Sequence, residues 1–282
     1  MDQVIVGAGT VGSATALLLA EQGHRVRLVS RHGRGPGHDG IERVVADATD
    51  TAALVRLCRG AVALYNCANP SSYAGWAAEW PPMAASMLRA AEHSDAVLVT
   101  MSNLYGYGPV DSPMREDTSP AGPGKKGRIR AIMWQDALAA HRAGRVRVTE
   151  ARASDYFGPG FTDTAHLADR VVPRVLNGRT VRVLGDPDVA HTWTYIDDVA
   201  RALVVLGTDE RAWGRAWHVP SGPARSQRQM VEAFAHAAAV PTPRVVGTPT
   251  WALRALGFLS PTVRELHEIR YQFERPFVME ST

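Results

Sequence analysis

Lysine is almost missing from this 282-residue chain: it stands only at Lys125 and Lys126, against twenty-nine arginines. Such a bias is compositional, but it makes the place of the two lysines conspicuous. Cysteine is as scarce. Cys58 and Cys67 lie on or beside apolar segments without metal-ligand spacing, which predicts two reduced core thiols and excludes a disulfide scaffold or a zinc site. No apolar run is long enough to span a bilayer. The first residues already read as a strand, leaving no room for a signal peptide, so the expected location is cytoplasmic with no membrane partner. The formal charge of +3 is small and scattered. No basic stretch is interleaved with aromatics, and nucleic acid is not an expected partner. Internal repeats and low-complexity tracts are absent, while a hydrophobic content of 45% supplies one large core plus a lobe.

The amino terminus reads M-D-Q-V-I-V-G-A-G-T-V-G, an apolar strand running into Gly7, Gly9 and Gly12 with the apolar run Ala14 to Ala20 behind. This pattern can seat a pyrophosphate. Gly7 permits the turn out of the strand, Gly9 lets backbone approach the phosphates, and Gly12 lets the following helix pack closely. Thr10 and Val11 open that helix, whose free N–H groups and dipole face the anion. The end of the second strand, about 20 residues on, distinguishes between dinucleotides. An Asp or Glu there would hold ribose hydroxyls, yet the chain reads Ser30-Arg31-His32-Gly33-Arg34. A hydroxyl and a permanently charged guanidinium suit a 2′-phosphate, so NADP(H) is expected over NAD(H).

Apolar strands and helical stretches then alternate: Arg25–Val29, Ile41–Ala46, Thr51–Cys58, Ala61–Asn66, Pro82–His93, Ala96–Thr100, Ile129–Ala143 and Val146–Ala153. Alternation at this spacing predicts a doubly wound parallel sheet of the Rossmann type. Gly23, Gly60 and Gly144 stand where helix C-caps belong. Tyr107–Gly127, rich in Pro, Gly and Ser, reads as a long loop. Beyond Gly160, Pro173, Pro187, Pro220, Pro241 and Pro249 break the pattern. The expected organisation is a dinucleotide-binding domain over 1–160, with 190–220 returning to it, and a smaller substrate-binding lobe from 161–189 and 221–282.

Several segments together resemble the extended short-chain dehydrogenase/reductases, the NAD-dependent epimerase/dehydratase family. They are the glycine loop, Asp47 after the third strand, Asn66-Cys67-Ala68, Ser102-Asn103-Leu104-Tyr105-Gly106, Arg152-Ala153-Ser154-Asp155-Tyr156-Phe157-Gly158 and Trp193-Thr194-Tyr195-Ile196-Asp197-Asp198. The resemblance implies that Asp47 and Ala48 approach the adenine and that Cys67 and Ala68 line the cofactor. It places Ala153 and Ser154 near the nicotinamide, with Asn103, Asp155, Tyr156, His191 and Trp193 on the substrate side. It also implies a homodimer through the helices ending near His93 and Ala143. The chain stops at Phe277–Thr282, where relatives usually continue, which implies a shortened lobe.

The departures from the family's pattern bear on chemistry. The family uses a Tyr to move the proton and a Lys four residues later; no Tyr here is so followed. On the alignment Lys126 stands at the Tyr position and Arg130 at the Lys position, on one helix face. Arg130 can hold ribose hydroxyls but cannot relay a proton. An amine can do acid/base work if its pKa is drawn toward neutrality, and Lys125, Arg128, Arg130 and a helix start push Lys126 that way. The alternative is a pair of solvated loop lysines. Ser102 is the candidate hydroxyl for polarising a substrate oxygen, one place off the expected register; Tyr105 and Tyr107 are stand-in proton donors. Asp155 and His191 occupy positions where nucleotide-sugar enzymes carry Asn and Arg, and an Asp would repel a diphosphate. The expected activity is an NADP(H)-dependent oxidoreductase or epimerase working on a hydroxyl or carbonyl carbon of a small, fairly apolar, non-nucleotide molecule. The alternatives are a redox-silent NADP-binding protein and a nucleotide-sugar epimerase or dehydratase.

Overall fold

Val4, Ile5 and Val6 of the first strand, β1 (Asp2–Val6), are all buried, and they point alternately to opposite faces. Ile5 joins one apolar cluster, Val4 and Val6 the other. A strand buried on both sides must lie inside a sheet covered by helices, and this one does. The computed structural model describes residues 1–70, 72–122, 124–161, 165–248 and 268–281.

After β1 the chain forms α1 (Thr10–Glu21), β2 (Arg25–Ser30), β3 (Ile41–Val45), α2 (Thr51–Cys58), β4 (Ala61–Asn66), α3 (Trp76–Ser94), β5 (Val97–Asn103), α4 (Lys125–Arg142) and β6 (Val148–Ala153). There follow β7 (Asp155–Phe157), α5 (Val172–Leu176), β8 (Val181–Leu184), β9 (Trp193–Tyr195), α6 (Ile196–Thr208), β10 (Ala216–His218), α7 (Gln227–Ala237) and β11 (Val245–Thr248). Seven strands make one parallel sheet in the order β10-β6-β5-β4-β1-β2-β3. Helices α1 and α6 cover one face, α2, α3 and α4 the other. The strand order turns back between β1 and β4, so the loops leaving their carboxyl ends diverge and open a crevice.

The expected Rossmann sheet is present, with local differences at the element ends. Gly60 and Gly144 follow α2 and α4 at φ of 72° and 71°, the left-handed positions expected of them. Helix α3 begins at Trp76, a turn and a half before the expected Pro82, and carries Pro81 and Pro82 inside it. Both prolines are exposed, while Trp76, Trp80, Met83 and Met87 form a buried stripe at helical spacing that carries the helix across them. Helix α4 likewise starts at Lys125 rather than Ile129, placing Lys126 and Arg130 both on it. Strand β5 runs on to Asn103, so Ser102 and Asn103 stand at its carboxyl end, at the crevice.

Strands β8 and β11 pair in parallel, and α5, α7 and Phe273 close a smaller apolar cluster around Val181, Val231 and Val245. Residues 249–267, Pro249 among them, lie outside the described residues. The long stretch ahead of α4 is tied to the end of the chain: Met114 N–H donates to the Val278 carbonyl at 2.8 Å, and Glu280 N–H to the Met114 carbonyl at 2.9 Å. Met114, Leu104, Tyr107, Phe277 and Met279 bury a shared apolar patch beneath that tie.

Trp80 is wholly buried, and the Arg130 guanidinium carbon lies 4.2 Å from its ring centroid. Trp80→Ala is expected to cost about 3–5 kcal/mol in a denaturant titration, the usual loss for emptying so large a buried site, and to release Arg130 from its seat.

Candidate active site

Gly7 leaves β1 at φ +108°, and a Cβ on it would come within 2.5 Å of the Cys67 carbonyl. A Cβ on Gly12 would run into the Gly7 carbonyl, whereas one on Gly9 would meet nothing within 4 Å. The three glycines therefore divide into two roles. Gly7 and Gly12 let β1, α1 and the turn after β4 press together, and Gly9 leaves open space over the backbone. Helix α1 has no side-chain cap at Gly9, so its first N–H groups face that space. These residues fit a dinucleotide's pyrophosphate, held by backbone donors at a helix start. A bound nicotinamide ring would supply hydride chemistry.

From this loop a cavity of about 270 Å³ runs along the carboxyl ends of β4, β5 and β6. Many of the residues expected at the site meet on its wall: Gly9, Thr10 and Val11; Cys67 and Ala68; Ser102, Asn103 and Tyr105; Arg130; and Ala153 through Tyr156. Tyr73, Trp76, Gln272 and Phe277 line it as well and carried no local signal in the sequence. Burial pushes the Cys58 and Cys67 thiols up to about 12 each, so both are protonated at neutral pH, as expected of unpaired cysteines.

Lys126 differs from both readings of it. It is only 2% exposed, hence no solvated loop residue, and it is not among the cavity-lining residues. Its ammonium donates to Glu268 at 3.0 Å and lies 5.2 Å from the centroid of the Tyr73 ring. The surroundings are thus not cationic alone, because Glu268 also accepts the Lys126 backbone N–H at 2.8 Å. Arg130 is buried between the rings of Trp76 and Trp80, at 5.0 and 4.2 Å. Its Nε is buried with no partner among the described residues. Burial opposes its charge, and Glu150 supports it.

The two candidate tyrosines separate. Tyr107 is 1% exposed, and its hydroxyl is taken by Arg152 at 2.6 Å and His218 at 2.8 Å, with Glu150 closing on Arg152 at 2.7 Å. It does not reach the cavity. Tyr105 does, stacked on Trp76 at 5.9 Å with its hydroxyl 2.8 Å from that of Tyr73. Burial raises the pKa of both Tyr73 and Tyr105, leaving them protonated at neutral pH.

At the far end, pairing of β7 with β9 sets Asp155 beside Trp193, and His191 comes up against it. His191 Nε2 lies 2.8 Å from Asp155 Oδ2, and Nδ1 lies 3.1 Å from the Gln272 carbonyl. Both ring nitrogens are thus engaged within the protein, and the Ser154 hydroxyl lies 3.4 Å from Nε2 as well. Burial opposes the Asp155 charge, but the hydrogen bond and charge of His191 outweigh it and hold the carboxyl below its ordinary 3.8. Asp155 and His191 are therefore one pair rather than two separate departures. Trp193 lies behind them, 4% exposed, its indole N–H on the Arg225 carbonyl at 2.8 Å.

The adenine end is more open. Ser30 Oγ accepts the Arg34 N–H at 3.0 Å, and Arg31 is exposed beside it. Asp47 folds back onto Thr49, accepting its N–H at 2.8 Å and its hydroxyl at 2.7 Å. Those two bonds, then Arg31, lower its pKa against a small burial cost. Asp47 is not the cap of α2; Asp50 is, accepting from Ala53 N–H at 2.9 Å. Ala48 packs against the apolar cluster under α2 and α3.

A glycine cradle at the first strand, a parallel sheet and a polar cavity at the switch point define a dinucleotide-dependent enzyme class. The chain matches the model of the NAD dependent epimerase/dehydratase family over residues 4–219, and it belongs to that family. No curated protein sequence matches it. Among solved structures it is similar to UDP-glucose 4-epimerase from Thermotoga maritima with UDP-glucose: 16% identity, TM-score 0.78, covering 100% of this chain and 90% of that one. A dTDP-glucose 4,6-dehydratase from Bacillus anthracis in complex with NAD gives 16% identity and TM-score 0.78 over 100% and 88%. MoeE5 in complex with UDP-glucose and NAD gives 20% and 0.75 over 95% and 99%.

Because the Asp155 pKa is lowered in the fold, its contribution to stability is present above the ordinary value and is lost as pH falls through the folded one. The urea midpoint of Asp155→Asn is expected to lie below that of the parent at neutral pH, by roughly 1–3 kcal/mol in stability. The gap should close in acid, read from unfolding curves across pH.

Proposed function

We propose that this family member is an NADP(H)-dependent oxidoreductase or epimerase acting on a hydroxyl or carbonyl carbon of a small, fairly apolar, non-nucleotide molecule. The observation that carries the substrate side is the Asp155–His191 pair at 2.8 Å. The likeness to enzymes whose structures hold UDP-glucose raises the possibility of a nucleotide sugar, but a diphosphate needs donors to receive it. His191 spends both ring nitrogens within the protein, and the Asp155 carboxylate would repel phosphate oxygens. Tyr156 and Phe161, stacked 5.4 Å apart, give the wall an apolar face. Residues 161–189 and 221–282 supply the substrate lobe in this reading, and Ser102 polarises the substrate oxygen.

For the cofactor, the exposed Arg31 guanidinium and the absence of an acidic residue at the end of β2 support a 2′-phosphate. Arg31→Ala is expected to weaken NADPH about tenfold while leaving NADH unchanged, measured by quenching of protein fluorescence, since one charge-assisted contact to a charged group is worth about 1.5–3 kcal/mol. Equal loss for both, or tight binding of UDP or dTDP by the unaltered protein, would overturn this reading.

The partner in this reading is a second copy of the chain, through α3 and α4. Ile132 is 53% exposed there, beside a groove that Leu88, Met133 and Ala137 also line. Ile132→Glu is expected to convert a dimer to a monomer in sedimentation equilibrium, with cofactor affinity retained.

A further inference from the structure

We propose that Tyr73, in the 3₁₀ turn between β4 and α3, is the group that exchanges a proton with the substrate oxygen, with Tyr105 and Lys126 as its positioning residues. This rests on the hydride-transfer reading above and names the acid/base group of that same site. No local spacing points to Tyr73. The fold nevertheless brings to it what a proton-transferring phenol needs.

The first requirement is access. Tyr73 and Tyr105 both line the cavity that holds Ser102, Asn103 and Ser154. Lys126, at the position where relatives carry their Tyr, is buried and outside that wall. It meets the site through the Tyr73 ring, 5.2 Å from its ammonium.

The second is a proton to give. The two phenols are 2.8 Å apart and carry two O–H hydrogens between them. Their mutual bond uses one. The other remains for a third partner in the cavity. Asp155 disfavours the phenolate of either ring, but Arg130 and the bond from Tyr105 favour that of Tyr73, whereas for Tyr105 the neighbouring Tyr73 disfavours it further. Either hydroxyl can donate at this distance; we assign that role to Tyr105, which leaves the free O–H on Tyr73.

The third is a stabilised conjugate base. In the reducing direction the Tyr73 O–H bond breaks, the proton passes to the substrate oxygen, and the bonding pair stays behind on the phenolate. The hydride belongs to the nicotinamide dinucleotide. The phenolate is met by the Tyr105 hydroxyl and favoured by the Arg130 charge, with the Lys126 ammonium over its ring, and it regains its proton from water. Oxidation runs the same transfer backward. Glu268 holds Lys126 in place through both its ammonium and its backbone N–H.

The test has one arm that needs neither substrate nor cofactor. With 3,5-difluorotyrosine installed at position 73, the ring's ionisation is followed by absorbance in the dinucleotide-free protein. Lys126→Met is expected to raise that titration by about one pH unit, as loss of a nearby opposite charge does, and Tyr105→Phe to raise it as well. In the second arm Tyr73→Phe, which loses only the hydroxyl, is expected to lower kcat for NADPH-dependent carbonyl reduction about 10²-fold or more, with NADPH binding unchanged. The fluorinated ring should move the pH–rate profile downward with its own ionisation, which a packing role would not do. Full turnover by Tyr73→Phe, or a titration indifferent to Lys126, overturns the assignment alone. A parent protein that binds NADPH yet neither reduces a carbonyl panel nor exchanges the C4 hydrogen overturns the hydride-transfer reading together with it.

Discussion

Backbone pressed against backbone at Gly7, Gly12 and Cys67 is the constraint on which the site depends. A single methyl group at Gly7 or Gly12 would collide with main-chain atoms. That closeness sets the angle at which α1 leaves the sheet, brings the turn after β4 alongside the helix start, and so fixes one end of the cavity. Everything at the other end is measured from there. The wall built by β5, α4 and β6 faces the helix start because strand order turns back at this point and nowhere else in the sheet.

Charge around the cavity is handled by pairing. Lys126 is matched by Glu268, Asp155 by His191, and Arg152 by Glu150. Arg130 is the exception in form, seated between two indole faces with Glu150 favouring its charge. Removing one member of such a pair leaves a buried charge with nothing to answer it, which is why these side chains are placed so tightly. The pairing also sets what the cavity offers a ligand. The polar side chains on its wall are mostly hydroxyls and amides, with Asp155 and Arg130 among aromatic rings.

The fold and its dinucleotide cradle follow the epimerase/dehydratase family. On the readings we propose, the proton-moving and substrate-holding positions do not. Lys126 and Arg130 share one helix, and the proposed proton-transferring phenol, Tyr73, enters from a different element.

What could be read from the chain was whatever is decided locally. The glycine loop, the strands, the left-handed turns at Gly60 and Gly144, and the cavity positions of Ser102, Tyr105 and Ala153–Tyr156 all rest on neighbours a few residues apart. The start of α3 was hidden by Pro81 and Pro82, since only the buried stripe from Trp76 to Met87 holds the helix through them. Tyr73 under Lys126, Glu268 against that ammonium, Asp155 on His191 and the burial of Tyr107 by Arg152 were decided by tertiary structure alone. Each joins residues from separate elements. A periodicity of four finds partners within one helix, but two side chains from distant elements meet only when sheet order and strand register bring their backbones together.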